Sequence, residues 1–98
     1  MFNIRTTAAF DTWFAGLRDR TVQRRIQARI DRLELGNAGK MRVLTRGVCE
    51  LKIDVGPGFR VYYVQRGNTV VILLCGGDKS TQRADIDRAL AMVDQLED

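Results

Sequence analysis

The sequence contains no histidine, a single proline and two widely separated cysteines. Histidine is the usual general base near neutral pH. Its absence excludes a Ser-His-Asp or Cys-His catalyst in the ordinary form. Two isolated cysteines cannot fill the roughly four positions of a structural zinc, so no metal site is expected. Cys49 and Cys75 stand among apolar neighbours and read as reduced, buried thiols. There is no P-loop and no Gly-x-Gly-x-x-Gly following a strand, and no cofactor is expected. Long apolar runs are missing too. The longest, Thr69–Cys75, has the length of a strand and falls far short of the roughly 20 residues of a membrane span. Met1–Arg5 carries no apolar signal-peptide stretch. The expectation is a cytoplasmic protein with no membrane partner.

What is present is ordinary globular composition. The 98 residues are 45% hydrophobic and 29% charged, which suits one domain over residues 1–98 with one modest core. The net charge of +4 is unevenly spread. Residues 84–98 set Arg88 against Asp85, Asp87, Asp94, Glu97 and Asp98, a net of −4, which leaves +8 on residues 1–83. A basic body with an acidic tail points to an anionic partner, nucleic acid foremost.

Phe2–Arg5 reads as a short edge strand. Thr6 or Thr7 is placed to cap a helix bearing Phe10, Trp13, Phe14 and Leu17 on one face, with Gly16 near its end. The three aromatics read as core packing. Asp19 or Thr21 caps a second helix, where Val22, Ile26, Ile30 and Leu33 form an apolar stripe and Gly36 terminates. Strand signals begin near Lys40. Cys49, Leu51, Ile53 and Val55 alternate with Val48, Glu50, Lys52 and Asp54, the pattern of a half-buried strand. Gly56-Pro57-Gly58 turns into a strand from Phe59 to Gln65, and Arg66–Thr69 turns back into Val70–Cys75, which Gly76-Gly77 would end. Ser80 or Thr81 then caps a last helix bearing Ile86, Leu90, Val93 and Leu96. The expected order is β-α-α-β-β-β-α. This is an α+β domain with a twisted, mainly antiparallel sheet, a helical hairpin at its N-terminal end and a C-terminal helix.

The chemistry must come from cations. Alternation places Arg60, Tyr62 and Val64 on one strand face, and the Gly-Pro-Gly turn makes the strand of Glu50 and Lys52 its antiparallel neighbour. Lys79 follows the buried strand, and Arg46 sits in the turn before Glu50. Such a set fits an RNA phosphate. A metal-free ribonuclease needs a base for the 2′-hydroxyl, an acid for the leaving oxygen and positive charge on the phosphorane. Arginine suits the last role, because its fork matches phosphate oxygens. Without histidine the base is a carboxylate, a tyrosine, or a lysine lowered by other cations. Tyr62 is alternatively a platform for a base, and Arg60 beside Tyr62 is alternatively a solvated cation–π pair. On the second helix Arg18, Arg25, Arg29 and Arg32 share a stripe. It reads either as a ribosomal RNA contact or as a solvated flank.

Several segments occur in one order: Gly36-Asn37-x-Gly39, Gly47-Val48-x-Glu50-Leu51-Lys52-Ile53, Gly56-Pro57-Gly58-Phe59-Arg60-Val61-Tyr62-Tyr63, Gly76-Gly77-Asp78-Lys79-Ser80-Thr81-Gln82 and Asp85-Ile86. The set resembles the HigB-like addiction-module killer branch of the RelE/ParE toxin superfamily, over nearly the whole chain. The resemblance implies a toxin that cleaves mRNA on the ribosome. It also implies a cognate antitoxin, of helix-turn-helix type, through which the complex reaches operator DNA. Arg60 is the position to which the family's phosphate-stabilising arginine carries over. Lys52, Lys79 and Tyr62 join it as candidate catalytic residues on chemical grounds, and Arg46, Gln82, Arg25 and Arg29 as RNA-binding candidates. The chain lacks the histidines of some HigB relatives and any counterpart of the C-terminal tyrosine of RelE-like enzymes. ParE-like relatives instead poison DNA gyrase by binding, and an inactive toxin kept as its antitoxin's co-repressor is the third reading.

Overall fold

A computed structural model describes residues 1–96, so the acidic Glu97 and Asp98 of the sequence analysis lie outside the described residues. The chain runs β1 (Asn3–Thr6), α1 (Ala8–Ala15), α2 (Arg20–Glu34), β2 (Met41–Val43), β3 (Val48–Ile53), β4 (Phe59–Arg66), β5 (Val70–Asp78), a single 3-10 turn (Lys79–Thr81) and α3 (Gln82–Gln95). The five strands form one sheet in the order β1-β5-β4-β3-β2. Only β1 runs parallel to its neighbour, so the sheet is mixed and mainly antiparallel, in the α+β class that the element order implies.

Local chemistry sets the helix ends. The Thr7 hydroxyl accepts from the Phe10 amide, and the Asp19 carboxylate accepts from the Thr21 and Val22 amides. Past Leu35, Gly36 takes φ 94°, and its amide and that of Asn37 donate back to Leu33 and Arg32. α1 and α2 cover one sheet face. There Phe10, Val22, Ile26, Ile30 and Leu33 pack on Leu51, Ile53, Val61, Tyr63, Val71 and Leu73. α3 covers the opposite face, with Ala89, Ile86, Leu90 and Val93 on Val48, Tyr62, Val64, Leu74 and Cys75. Leu74 is the extra residue of a bulge opposite Tyr62 and Tyr63. The bulge lets Leu74 and its neighbour Cys75 both belong to the α3-side core.

Four expectations are corrected. The segment after Lys40 contains a strand of its own, β2, paired with β3 through Met41–Leu51, Arg42–Glu50 and Val43–Cys49. β3 is not half-buried: Val48 and Glu50 are as enclosed as Leu51 and Ile53, whereas Cys49 is partly exposed, because helices lie over both faces. β5 does not stop at Gly76-Gly77 but runs to Asp78. A Cβ at Gly76 would stand 2.3 Å from the Trp13 ring, and one at Gly77 would meet the Asp85 carboxylate. These glycines are places of close approach inside a strand. Finally, Thr81 stands at the N-cap of α3 without capping it. Its hydroxyl donates to Asp85, while Asp78 caps the 3-10 turn through the Ser80 amide.

Candidate active site

The strand register brings the candidate residues together in two rows on the α3 side of the sheet. Arg42, Glu50 and Tyr62 are direct neighbours across β2, β3 and β4. Two residues along, Lys52 is paired with Arg60, and Arg60 with Gly77. Residues two apart on a strand share a face, so both rows look the same way. The first turn of α3 closes the end of the sheet with Gln82. The result is a cleft of ≈ 430 Å³ lined by Lys40, Met41, Arg42, Glu50, Lys52, Arg60 and Gln82. Four of the seven are cations and one is a carboxylate.

Glu50 is the organising group. It is only 3% exposed, yet it collects donors from three other elements. Arg42 Nε donates to Oε1 at 2.7 Å, while the Tyr62 hydroxyl at 3.0 Å and Gln82 Nε2 at 2.9 Å donate to Oε2. Burial alone would raise its carboxyl, but the bonds from Arg42, Gln82 and Tyr62 outweigh burial and hold it below the ordinary range. Glu50 is therefore ionised at neutral pH. Tyr62 is pushed the other way, by burial first and then by the Glu50 charge, so its phenol stays protonated.

Arg60 is 5% exposed. Its NH1 donates to the Gly58 carbonyl at 2.8 Å, which fixes the plane of the guanidinium. Among the described residues its Nε has no hydrogen-bond partner, and it lies 3.8 Å from Glu50 Oε2. A buried donor left open is costly, on the order of 1–3 kcal/mol.

Arg60, Lys52 and Gln82 line the cleft, with Tyr62 sealed beneath it at 0% exposure. The exposed Arg60–Tyr62 face of the sequence reading does not exist, because α3 folds over it. Tyr62 is therefore not available as a stacking platform. Lys79 is exposed in the 3-10 turn, where a Cβ added at Gly58 would stand 4.0 Å from the Lys79 Cβ. Arg46 lies elsewhere. At φ 56° in its turn, it pairs with Asp94 of α3 at 2.6 Å. Arg29 is spent on the frame, with NH1 donating to Lys52 O at 2.5 Å and NH2 to the carbonyls of Ala38 and Lys40. Arg25 is exposed on α2. The sequence reading placed Glu50 on a polar face without a role and passed over Arg42. The available signal was an acid set among the strand's cations. Among the described residues no three Cys, Asp or Glu side chains gather as metal ligands.

A family model, phage derived protein Gp49-like (DUF891), matches residues 12–94. The chain belongs to the Gp49-like family. This is a family of RelE/HigB-like toxins. An uncharacterized protein of Haemophilus influenzae is 45% identical over 93 residues, covering 95% of this chain and 94% of that one. The solution structure of the conserved hypothetical protein HP0894 of Helicobacter pylori aligns with 82% of this chain and 97% of its own, at 17% identity and a TM-score of 0.49. Within this Gp49-like chain, residues 12–94 hold every residue lining the cleft. Among the described residues no helix is long and apolar enough to cross a membrane.

Proposed function

We propose that this Gp49-like protein is the toxin of a toxin–antitoxin pair, a single-domain, HigB-like endoribonuclease that cleaves mRNA on the ribosome. The carrying observation is Arg60, buried with an open Nε in a cationic cleft and with Lys52 directly across the strand register. The association of the family with toxin ribonucleases supports the same reading. The scissile phosphate enters between Arg60 and Lys52, and Arg60 gains a partner for Nε as charge builds on the phosphorane. Arg42 is 58% exposed, so it can turn from Glu50 to a phosphate oxygen and free Oε1. The ionised Glu50 then takes the 2′-hydroxyl proton. The 2′-oxygen bonds to phosphorus and the 5′-oxygen leaves with a proton from Lys52. A 2′,3′-cyclic phosphate and a 5′-hydroxyl remain. Tyr62 holds Glu50 and does not meet the substrate. The partners are mRNA on the ribosome and a cognate antitoxin of helix-turn-helix type that covers the cleft and carries the complex to operator DNA.

The test is to map mRNA 5′ ends in bacteria minutes after inducing the chain without its antitoxin, with Arg60→Ala and Lys52→Ala alongside. New ends inside translated codons, absent in variants that remain folded, are expected. Intact mRNA with arrested growth, DNA-damage signalling and filamentation would instead identify a gyrase inhibitor. Intact mRNA with normal growth would identify an inactive co-repressor.

A further inference from the structure

Lys40 lines two depressions at once. One is the cleft. The other, of ≈ 400 Å³, lies between α2 and the end of β3 and is lined by Arg25, Arg29, Arg32, Lys40 and Asp54 together with Ala28 and Ile53. The two thus adjoin at Lys40. Arg29 makes the join rigid, because its guanidinium binds the Lys52, Ala38 and Lys40 carbonyls and ties α2 to both rims. With Arg29 committed, Arg25 and Arg32 are the exposed cations that line the depression from α2. At the junction Lys40 Nζ is held by Asp54 at 2.8 Å, both groups being well exposed. The helix stripe that the sequence left undecided therefore has a geometric purpose.

We infer that the depression beside α2 is an anchoring site for the sugar–phosphate backbone of the same single RNA strand whose scissile phosphate enters the cleft, held by Arg25, Arg32 and Lys40. The inference rests on the ribonuclease reading for the identity of the strand. Adjacency to the phosphate cleft favours a nucleic acid over an acidic protein segment, because a backbone leaving the cleft over Lys40 meets the depression lined by Arg25 and Arg32 next. Asp54 is a built-in competitor. It occupies Lys40 while the track is empty and repels a phosphate placed there.

The experiment measures binding of two uncleavable 2′-O-methyl RNAs, a trinucleotide and a dodecanucleotide, by fluorescence anisotropy across a fourfold range of salt. The variants are Arg25→Ala/Arg32→Ala, Asp54→Asn and Arg60→Ala. Each phosphate contact contributes about 0.7 to the logarithmic salt slope of a single strand, so the double variant should lose about sevenfold less affinity over that range than the parent. It should bind the dodecamer more weakly and the trimer equally well. Asp54→Asn should tighten the dodecamer alone. The inference is overturned if the double variant keeps the parent's dodecamer affinity and salt slope, or weakens both RNAs alike. It is overturned also if the double variant loses binding to a poly-glutamate peptide but not to RNA, which would make the surface a dock for an acidic protein segment. Failure of the cleft reading looks different: Arg60→Ala would then leave trimer binding intact.

Discussion

The Tyr62 hydroxyl and the Arg60 Nε both approach Oε2 of Glu50, but only Tyr62 bonds to it, at 3.0 Å, while Arg60 stops at 3.8 Å. Gln82 takes a further place on that oxygen. The carboxylate is thus filled by two neutral donors and by the exposed Arg42, and the Nε of the buried Arg60 is left without a hydrogen-bond partner among the described residues. On the proposed reading that partner is a phosphate oxygen.

Removing the carboxylate should unsettle the core more than the surface. In Glu50→Ala the buried Tyr62 hydroxyl loses its acceptor, at a cost of about 1–3 kcal/mol. The denaturant midpoint should fall with the slope unchanged. An unchanged midpoint would mean that water replaces Glu50 at no cost.

Acid should act through the same group. The folded Glu50 carboxyl lies below its unfolded value because its three donors outweigh burial. Its contribution is therefore complete above the unfolded carboxylate value of about 4.3 and is lost as pH falls through the lower folded value. Tyr62 and Tyr63 are raised, chiefly by burial, so their contribution is present below about 10 and is lost at more alkaline pH. Urea melts across pH should show both limbs, with the acid limb flattened in Glu50→Gln.

Tyr62→Phe should leave most of the RNA cleavage in place. The hydroxyl is sealed from the cleft and its phenol does not ionise near neutral pH. On the proposed reading Arg60→Lys removes the fork that would face the phosphate and should cost on the order of 10²–10³ in rate. A larger loss in Tyr62→Phe than in Arg60→Lys would reverse these roles.

Gly77→Ala forces a methyl onto the Asp85 carboxylate, and Gly76→Ala forces one onto the Trp13 ring. Overpacking of this kind costs about 1–3 kcal/mol. Thermal melts should fall for both, and Asp85→Ala should partly rescue the first but not the second. Equal rescue of both would mean that the β5 backbone simply shifts.

Two arginines named together as RNA-binding candidates should separate. Arg29→Ala strands three carbonyls and should speed amide exchange around residues 36–40. Arg46→Ala removes one exposed pair with Asp94 and should cost no more than about 1 kcal/mol.

Three helices, the stop at Gly36 and the strands around Leu51, Val61 and Val71 are legible in the sequence, and the caps are legible as pairs, Thr6 or Thr7 and Asp19 or Thr21, of which the fold uses Thr7 and Asp19. Periodicity, capping and turn residues are local chemistry, and each is written within a few neighbouring positions. The sequence also set the strand of Lys52 beside that of Arg60 and Tyr62, but the choice of Arg60 as the partner of Lys52 came with the register of the folded hairpin. That Glu50 is enclosed and Tyr62 sealed follows from the packed fold. The fold alone brought Arg42 from a three-residue strand and Gln82 from a helix 32 residues away onto one carboxylate. Alternation along β3 marks the face of Glu50 and Lys52 as polar. Whether that face meets water depends on where α3 packs, and α3 packs there through the apolar contacts of Ile86, Ala89, Leu90 and Val93, distant in sequence from every residue they cover.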